Sequence, residues 1–467
     1  MTESNDTSTE QPRAHGAAAR DAEPPTPTVA TAGTEPPTSA APALAAPDLT
    51  VTGSAAPPHW KRTIALVWSG QAVSFVSSGA AGFAIIWYLS IATASATILA
   101  LGTIAYFIPL IVLGPLAGAI VDRYNRKYII IISDLCIAFI TILVALMISA
   151  GLTSVPLILA MLLLRSVGAT FHQPAMQATM PLLVPERHLV RIGSLDQGII
   201  GLSNIVAPAL GILLYTSMGL HSALFVDAAG ALIACGILAF ATIPNVHLAK
   251  SERTSLRREM ADGMRAIKNC RGMGTFFALI TVCCIAYMPM SAFFPLMTSL
   301  HFLRDGYSAA IVEAVWSVGF LLGSIVLGIW GGGRRLVPLI VISVGVCGAL
   351  VVACGLLPPA AYWAFVVLTG LMAITGAFFN SPLIAVIQKN IEPAQLGRVM
   401  AVFGALTSLA SPIGLVISGP VADVIGVAPL FVASGALMLL IALAALFFPV
   451  INNLDHPKEA PTPKTAA

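Results

Sequence analysis

The sequence predicts an all-α membrane protein whose twelve transmembrane helices form two six-helix pseudo-repeats. Three observations carry that expectation: scarcity of charge, the recurrence of apolar stretches long enough to cross a bilayer, and a sequence repeat between the two halves. Of 467 residues, 57% are hydrophobic and 10% charged, well below the quarter or so of charged residues that a water-facing domain uses. So few charges cannot cover a soluble surface.

Breaking the apolar sequence at charge clusters and Pro/Gly turns gives twelve spans: 62–87, 96–119, 128–150, 155–176, 193–216, 222–244, 274–297, 309–331, 336–356, 360–384, 397–419 and 427–449. The expected organisation is a disordered cytoplasmic tail over 1–58, a six-helix bundle over 59–245, a cytoplasmic amphipathic linker over 246–273, a second bundle over 274–450, and a cytoplasmic C-terminal tail over 451–467. The first tail is rich in Ala, Pro, Thr and Ser, has too little apolar bulk to fold, and lacks the pattern of a signal peptide.

An even number of spans puts both termini on one side. With the termini inside, 22 of the 24 basic residues fall in cytoplasmic segments, as the positive-inside rule requires. Only Arg304 lies outside, and Arg165 sits within span four. In the central loop Leu256, Met260, Met264 and Ile267 recur at helical spacing among basic residues, which predicts a helix lying on the inner membrane surface.

The repeat is direct. Phe171, Pro174 and Pro185 match Phe379, Pro382 and Pro393 with a shift of 208, and Leu189 and Arg191 match Leu396 and Arg398 with a shift one residue shorter. Spans four and ten are thus one element used twice, with the following loop on the same side each time. That parallel repeat predicts a solute path between the halves near mid-membrane.

The loop after span two reads GAIVDRYNRK, Gly118 to Lys127. Asp122, with Arg123, Arg126 and Lys127, can form a charged latch with one another or with a helix terminus, and Gly118 allows close helix approach. The segment resembles the signature loop of the major facilitator superfamily, with Asn125 in a usual Gly place, a change tolerated because Asn also adopts left-handed angles. The loop after span eight, Gly328 to Arg335, keeps the glycines and a basic pair without the acid. In span five Gly201, Ala207, Pro208 and Gly211 are similar to a helix motif of antiporter branches; Pro208 bends the helix and frees a carbonyl, and the small residues allow tight packing.

Residues 165–189, Gly70 and Gln71, the EMADGMRAI stretch and residues 396–415 together resemble the macrolide-efflux branch of drug:proton antiporters, which includes siderophore exporters. That resemblance, over about residues 60–450, implies a major facilitator fold in a bacterial cytoplasmic membrane. It also implies export of macrolide-like drugs or similar amphiphiles against protons, by a transporter working as a monomer. A siderophore or lysolipid exporter, an importer on the same fold, and a membrane-embedded enzyme or sensor stay open as alternatives. No HExxH, GxxxxGK[ST] or GxSxG motif points to catalysis.

Arg165, at membrane depth, serves either a substrate or proton site or a structural pairing between helices. Candidate proton carriers are Asp134, Asp227 and Glu313, with Asp196 near the inner end of span five; Asp227, Glu313 and Asp423 fall near outer helix ends, where a solvated role competes, and Asp134 is within possible reach of Arg123. His172 could titrate near neutrality or simply pack. Gln71, Tyr287, Met288, Met290, Phe379 and Asn380 would suit an amphiphile as a group, although each alone reads as packing. The seven cysteines lack metal-ligand spacing, so no metal or cofactor is expected, and a net charge of +3 argues against nucleic acid.

Overall fold

The computed structural model describes residues 60–241, 256–333 and 335–455. The expected tail over 1–58, most of the linker before Leu256, and the residues after 455 lie outside this description.

The first six long helices are α1 (Trp60–Thr93), α2 (Ala96–Val121), α3 (Arg126–Ser149), α4 (Val155–Leu183), α5 (Glu186–Met218) and α6 (Leu220–Phe240). A shorter helix, α7 (Leu256–Asn269), precedes α8 (Met273–Ala292), the one-turn α9 (Phe294–Leu296) and a π-helical turn at Met297–His301. Then follow α10 (Gly306–Trp330), α11 (Leu336–Leu356), α12 (Tyr362–Asn390), α13 (Pro393–Ile425), α14 (Val427–Leu446) and the short α15 (Pro449–Asn452). Twelve of these are long and apolar enough to span a membrane, at 20 to 34 residues each; at about 1.5 Å per residue every one reaches a hydrocarbon core of about 30 Å. Large apolar side chains such as Phe139, Ile329 and Leu440 stay exposed on the outer faces, where lipid is their solvent.

Spans five and eleven run several residues past their expected ends. Span seven is the main departure: the expected helix over 274–297 breaks after Ala292, and the chain continues through α9 and the π turn to His301. Pro295 cannot donate a backbone hydrogen bond, so the helical ladder is interrupted just where Phe293 and Phe294 turn into the core.

The sequence repeat is also a repeat of form. Helices α4 and α12 both have 29 residues, α5 and α13 both have 33, and the latter two end on Gly219 at φ 87° and Gly426 at φ 90°, which are 207 positions apart. Each glycine takes a left-handed angle that a side chain would resist, turning the chain at once into the next helix. At the other end of the repeat, Ser95 caps α2 by accepting from the Ile98 amide at 3.3 Å, and Asp305 caps α10 by accepting from the Ser308 amide at 3.0 Å.

Buried clusters distinguish the two ends of the molecule. At the end away from Trp60, one core includes Ala84, Leu89 and Leu99 from the first six helices and Met290, Phe294 and Phe431 from the second set. At the end where Trp60 lies, the clusters are separate: Val67, Val121 and Leu238 belong to the first set, and Phe276, Leu383 and Val399 to the second. The two sets therefore share a core at one end and have their own at the other.

Two pseudo-equivalent seams make the shared end. Helix α5 meets α10, where Gly306 has no room for a side chain beside Ile212, and α13 meets α2, where Gly419 lies against Thr97 and Ala100. Ile212 and Gly419 are again 207 positions apart. Polar contacts reinforce both: Thr216 and Tyr307 hydroxyls lie 2.9 Å apart, and Asp423 accepts from the Ser95 hydroxyl at 2.8 Å.

Helix α7 docks differently from the expected surface helix. Ala266 and Ile267 are buried in the second set's core, and Gly263 sits against the Arg398 backbone of α13, while Met260 and Met264 stay exposed. Asp262 pairs with Arg398 at 3.7 Å and with Arg265 at 3.3 Å. The side used for packing is thus the small-residue side, because only there can the two backbones approach.

Candidate functional site

The loop between α2 and α3 works through a helix terminus rather than through an internal ion pair. Asp122 is exposed, and among the described residues no ion pair joins it to Arg123 or Arg126, one of the pairings left open for it. Lys127 instead donates from Nζ to the carbonyls of Ala239 at 2.7 Å and Ala241 at 2.8 Å, at the C-terminal end of α6. A cation there satisfies carbonyls that the helix cannot and meets the negative end of its dipole. Asn125 is extended at φ −64° and caps α3 by accepting from the Lys127 amide, so it does not use the left-handed freedom expected of it. Gly118 faces open space rather than a close neighbour in this state.

The corresponding place in the second set has reversed polarity. Asp455 accepts from the amides of Leu336 at 2.9 Å and Val337 at 3.2 Å, at the start of α11, and its carbonyl accepts from Lys389 Nζ at 2.8 Å. The missing acid of the Gly328 to Arg335 loop is thus answered by an anion arriving from after α14.

The α5 motif is half packing and half open. Ala207 and Gly211 press against α1, where Gly79 and Ala80 leave no space for larger groups, while Gly201 has none of this crowding. Pro208 is buried and frees the Asn204 carbonyl one turn back; Ser317 of α10 stands 3.5 Å from that oxygen and 3.0 Å from the Glu313 carbonyl, its hydroxyl proton serving one at a time.

Two acid–base pairs lie on one face of α4. Arg165 pairs with Asp227 of α6 and also donates to the Thr141 hydroxyl of α3 at 2.9 Å; Ser78 of α1 donates to the other Asp227 oxygen at 2.6 Å. Asp227, expected near a solvated helix end, is 1% exposed and bonded from two other helices. Seven residues further along, His172 Nε2 lies 3.3 Å from Asp134 Oδ1 of α3, so the partner of Asp134 is this histidine rather than Arg123. Gln71 is buried on α1.

The second set contains a cavity of about 260 Å³ enclosed by α8, α10, α11, α12, α13 and α14. Tyr287, Met288, Phe379 and Asn380 line it together, as expected of them as a group, while Met290 is packed into the core away from it. Sequence reasoning missed the rest of the wall: Phe320 and Phe403 add aromatic surface, Cys283, Cys284 and Cys347 add soft surface, and Ser343, Thr375 and Thr407 add hydroxyls. The lining has no charged residue. Such a wall holds an apolar body by adaptable packing and fixes its orientation through a few polar groups.

Glu313 lies half-buried on α10, one turn before Trp316, whose ring is 6.1 Å from that of the cavity residue Tyr287. Among the described residues its carboxylate takes part in no ion pair or side-chain hydrogen bond. Asp134 and Asp227 both have a base beside them; Glu313 does not. Asp196 is half-buried in the early part of α5.

Twelve membrane-length helices in two repeated sets, joined at one end and separate at the other, with a cavity inside the second set, make this a multi-pass membrane protein. The profile described as Major Facilitator Superfamily matches residues 67–360 and 305–467, and the chain belongs to that superfamily, which makes it a transporter rather than an enzyme. It is 35% identical over 398 residues to Macrolide efflux protein A of Streptococcus pyogenes, covering 85% of this chain and 98% of the relative. To the Multidrug efflux pump Tap of Mycolicibacterium fortuitum it is 27% identical over 366 residues, 74% of this chain and 86% of the relative. Among solved structures, the nucleoside transporter NupG aligns with a TM-score of 0.64 at 16% identity, over 83% of this chain and 99% of that one. A bacterial homolog of the human lysosomal transporter Spinster, inward-facing and unoccupied, aligns with a TM-score of 0.65 at 15% identity, over 87% and 100%. These two likenesses carry the fold alone.

Proposed function

We infer that this transporter exports macrolide-like drugs or similar bulky amphiphiles from a bacterial cytoplasm, by alternating access coupled to inward movement of protons. The observation that carries the reading is the uncharged aromatic and thioether cavity beside an acid that has no cation for a partner. The efflux names of relatives at 35% and 27% identity support the same direction of transport. With 22 of 24 basic residues on the side of the termini, both termini are cytoplasmic and the joined end faces outward. The protein works as a monomer in the cytoplasmic membrane, with its present conformation open to the inside.

Glu313 is the proton carrier in this scheme. A membrane-depth carboxyl without a cation avoids a bare charge by taking up a proton, whereas one already paired has no need to. A single inward proton contributes about 2.3 kcal/mol per 100 mV of membrane potential, enough to sustain a useful outward drug gradient. The test uses purified protein in liposomes, with Glu313→Gln compared to wild type at equal protein. Expected is loss of pH-gradient-driven macrolide transport with equilibrium macrolide binding retained; gradient-driven transport at the wild-type rate would remove Glu313 from the scheme.

A further inference from the structure

We propose that His172 and Asp134 form a second proton-binding site, in the first helix set, which takes up and releases one proton as the transporter changes state. Its role in transport rests on the proton-coupled reading above; its ability to bind a proton does not.

The dyad is deep in the protein, with the two side chains 12% and 6% exposed. Their contact is unfinished: at 3.3 Å they are within ionic range, yet His172 Nε2 and Asp134 Oδ2 are both buried without a hydrogen-bond partner. Buried polar atoms are nearly always satisfied, and exceptions mark sites that await an ion, a water or a change of state. A proton supplies what this pair lacks. It binds the imidazole nitrogen, turns it into a donor for the carboxylate, and leaves the pair neutral as a whole; on release it returns to water and one buried carboxylate remains negative.

The surroundings leave this charge change to the dyad. Arg165 and Asp227, two turns along α4, compensate each other, and the guanidinium does not lose its proton. Helix α2 carries no Asp, Glu, Lys, Arg or His, only Tyr106. On α1 the ionisable residues are Lys61 and Arg62 in the first turn and Tyr88 far along it. Helix α3 adds Arg126, Lys127, Tyr128 and Cys136; α5 has Glu186, Arg187, His188, Arg191 and Asp196 near its start and Tyr215 near its end. From α6 come His221 in the first turn and Cys235, which lies near Asp134 and donates towards the Ile131 carbonyl at 3.7 Å. None of these brings a fixed positive charge into contact with Asp134, so a proton on His172 is its available counter-charge.

Asp134 lies eight residues into α3 from the end where the sets are separate, about 12 Å deep at the helical rise. A proton exchanged there communicates with the open side, while the Glu313 region belongs to the other set.

The test is an NMR titration of full-length protein with ring-labelled histidine, in detergent from pH 5 to 9, with the His172 signal identified by its absence in His172→Gln and in His172→Asn. Expected is a change of the His172 ring signal with pH that differs in Asp134→Asn, and differs again when a macrolide probe is added. A His172 signal that holds one protonation state throughout, or that titrates identically in Asp134→Asn, overturns the dyad. In liposomes, gradient-driven macrolide transport by His172→Gln should lose the wild-type pH profile between pH 6 and 8. An unaltered profile overturns the transport role even where the ring titrates. If wild type shows no proton-driven transport while the NMR step is present, the coupled reading fails and the proton site stands.

Discussion

The Asp423 carboxylate on α13 accepts the amide hydrogens of Ala96 at 2.6 Å and Thr97 at 3.2 Å, so an acid of one helix set caps a helix of the other. The amides of Ala96 and Thr97 at the start of α2 need acceptors, and here they find one only while the two sets are joined. Losing a cap costs about 0.5–2 kcal/mol, which changes the ratio of joined to separated states roughly 2- to 30-fold. Asp423→Ala should therefore open this end more often. The check is a cysteine introduced at Ala309, 1% exposed in the joined state, in a background without native cysteines. A membrane-impermeant maleimide should label it several-fold faster in the variant, and equal rates would show that the cap does not hold the seam.

Arg165 and Asp227 make a different kind of prediction, since both lie within one set. Removing one member strands a buried charge and costs about 3–5 kcal/mol, whereas replacing both with apolar residues is often neutral. Arg165→Met should thus yield little folded protein, and Arg165→Met with Asp227→Leu should recover it along with most of the export. The measurement is monodisperse yield and macrolide transport for the single and double variants. A double variant that folds but stays inactive would show that this pair acts in transport itself and not only in holding α1, α3, α4 and α6 together.

Much of this architecture could be read before any coordinates because lipid forbids unsatisfied backbone, so each crossing must announce itself as a long apolar helix. The matched Phe and Pro positions of α4 and α12, continued by Leu189 and Arg191 against Leu396 and Arg398, then expose the duplication. Pairings between distant positions leave no such trace. Asp423 and Ala96 are separated by 327 positions, and nothing local at Asp423 distinguishes a cap for another helix from a solvated end. Lys127 likewise reads as one more cytoplasmic cation, because a carbonyl at the end of α6 has no sequence signature. The break in span seven was hidden for a further reason: Pro289 lies within α8 without ending it, so Pro295 looked like another tolerated proline. The spacing of Arg165 and His172, seven residues and two turns on one face, was the available hint that α4 presents two bases to its neighbours.

At the joined end, Asp305 lies outside the spans and caps α10. The Ser308 amide, followed by the Ser308 hydroxyl, holds its carboxyl below the usual carboxylate range. A folded-state pKa below the unfolded one gives stability that is present above the unfolded value, about 3.9 for Asp, and is lost as pH falls through the folded value. Wild-type thermal stability in detergent should therefore drop more steeply on acidification below about pH 4 than that of Asp305→Asn, which lacks the titrating group. Parallel curves would remove this cap from the acid response.

Within the α5 motif, Gly201 and Gly211 should behave oppositely on substitution by alanine. A methyl group at Gly211 would lie 2.3 Å from the Ala80 carbonyl oxygen, a backbone atom that can move only if α1 itself is displaced. One at Gly201 meets nothing within 4 Å. Forcing an extra methyl into a closed helix contact costs about 1–3 kcal/mol, whereas in a helix interior alanine is favoured over glycine by up to about 1 kcal/mol. Gly211→Ala should lower the melting temperature of the purified protein, and Gly201→Ala should leave it unchanged or raise it. Alternating access adds a second readout. If α5 closes on its neighbours near Gly201 when the set changes state, Gly201→Ala should slow transport without loss of stability, because the obstruction exists only in the other conformation. A variant with wild-type stability and wild-type turnover would mean that the space beside Gly201 stays open throughout the cycle.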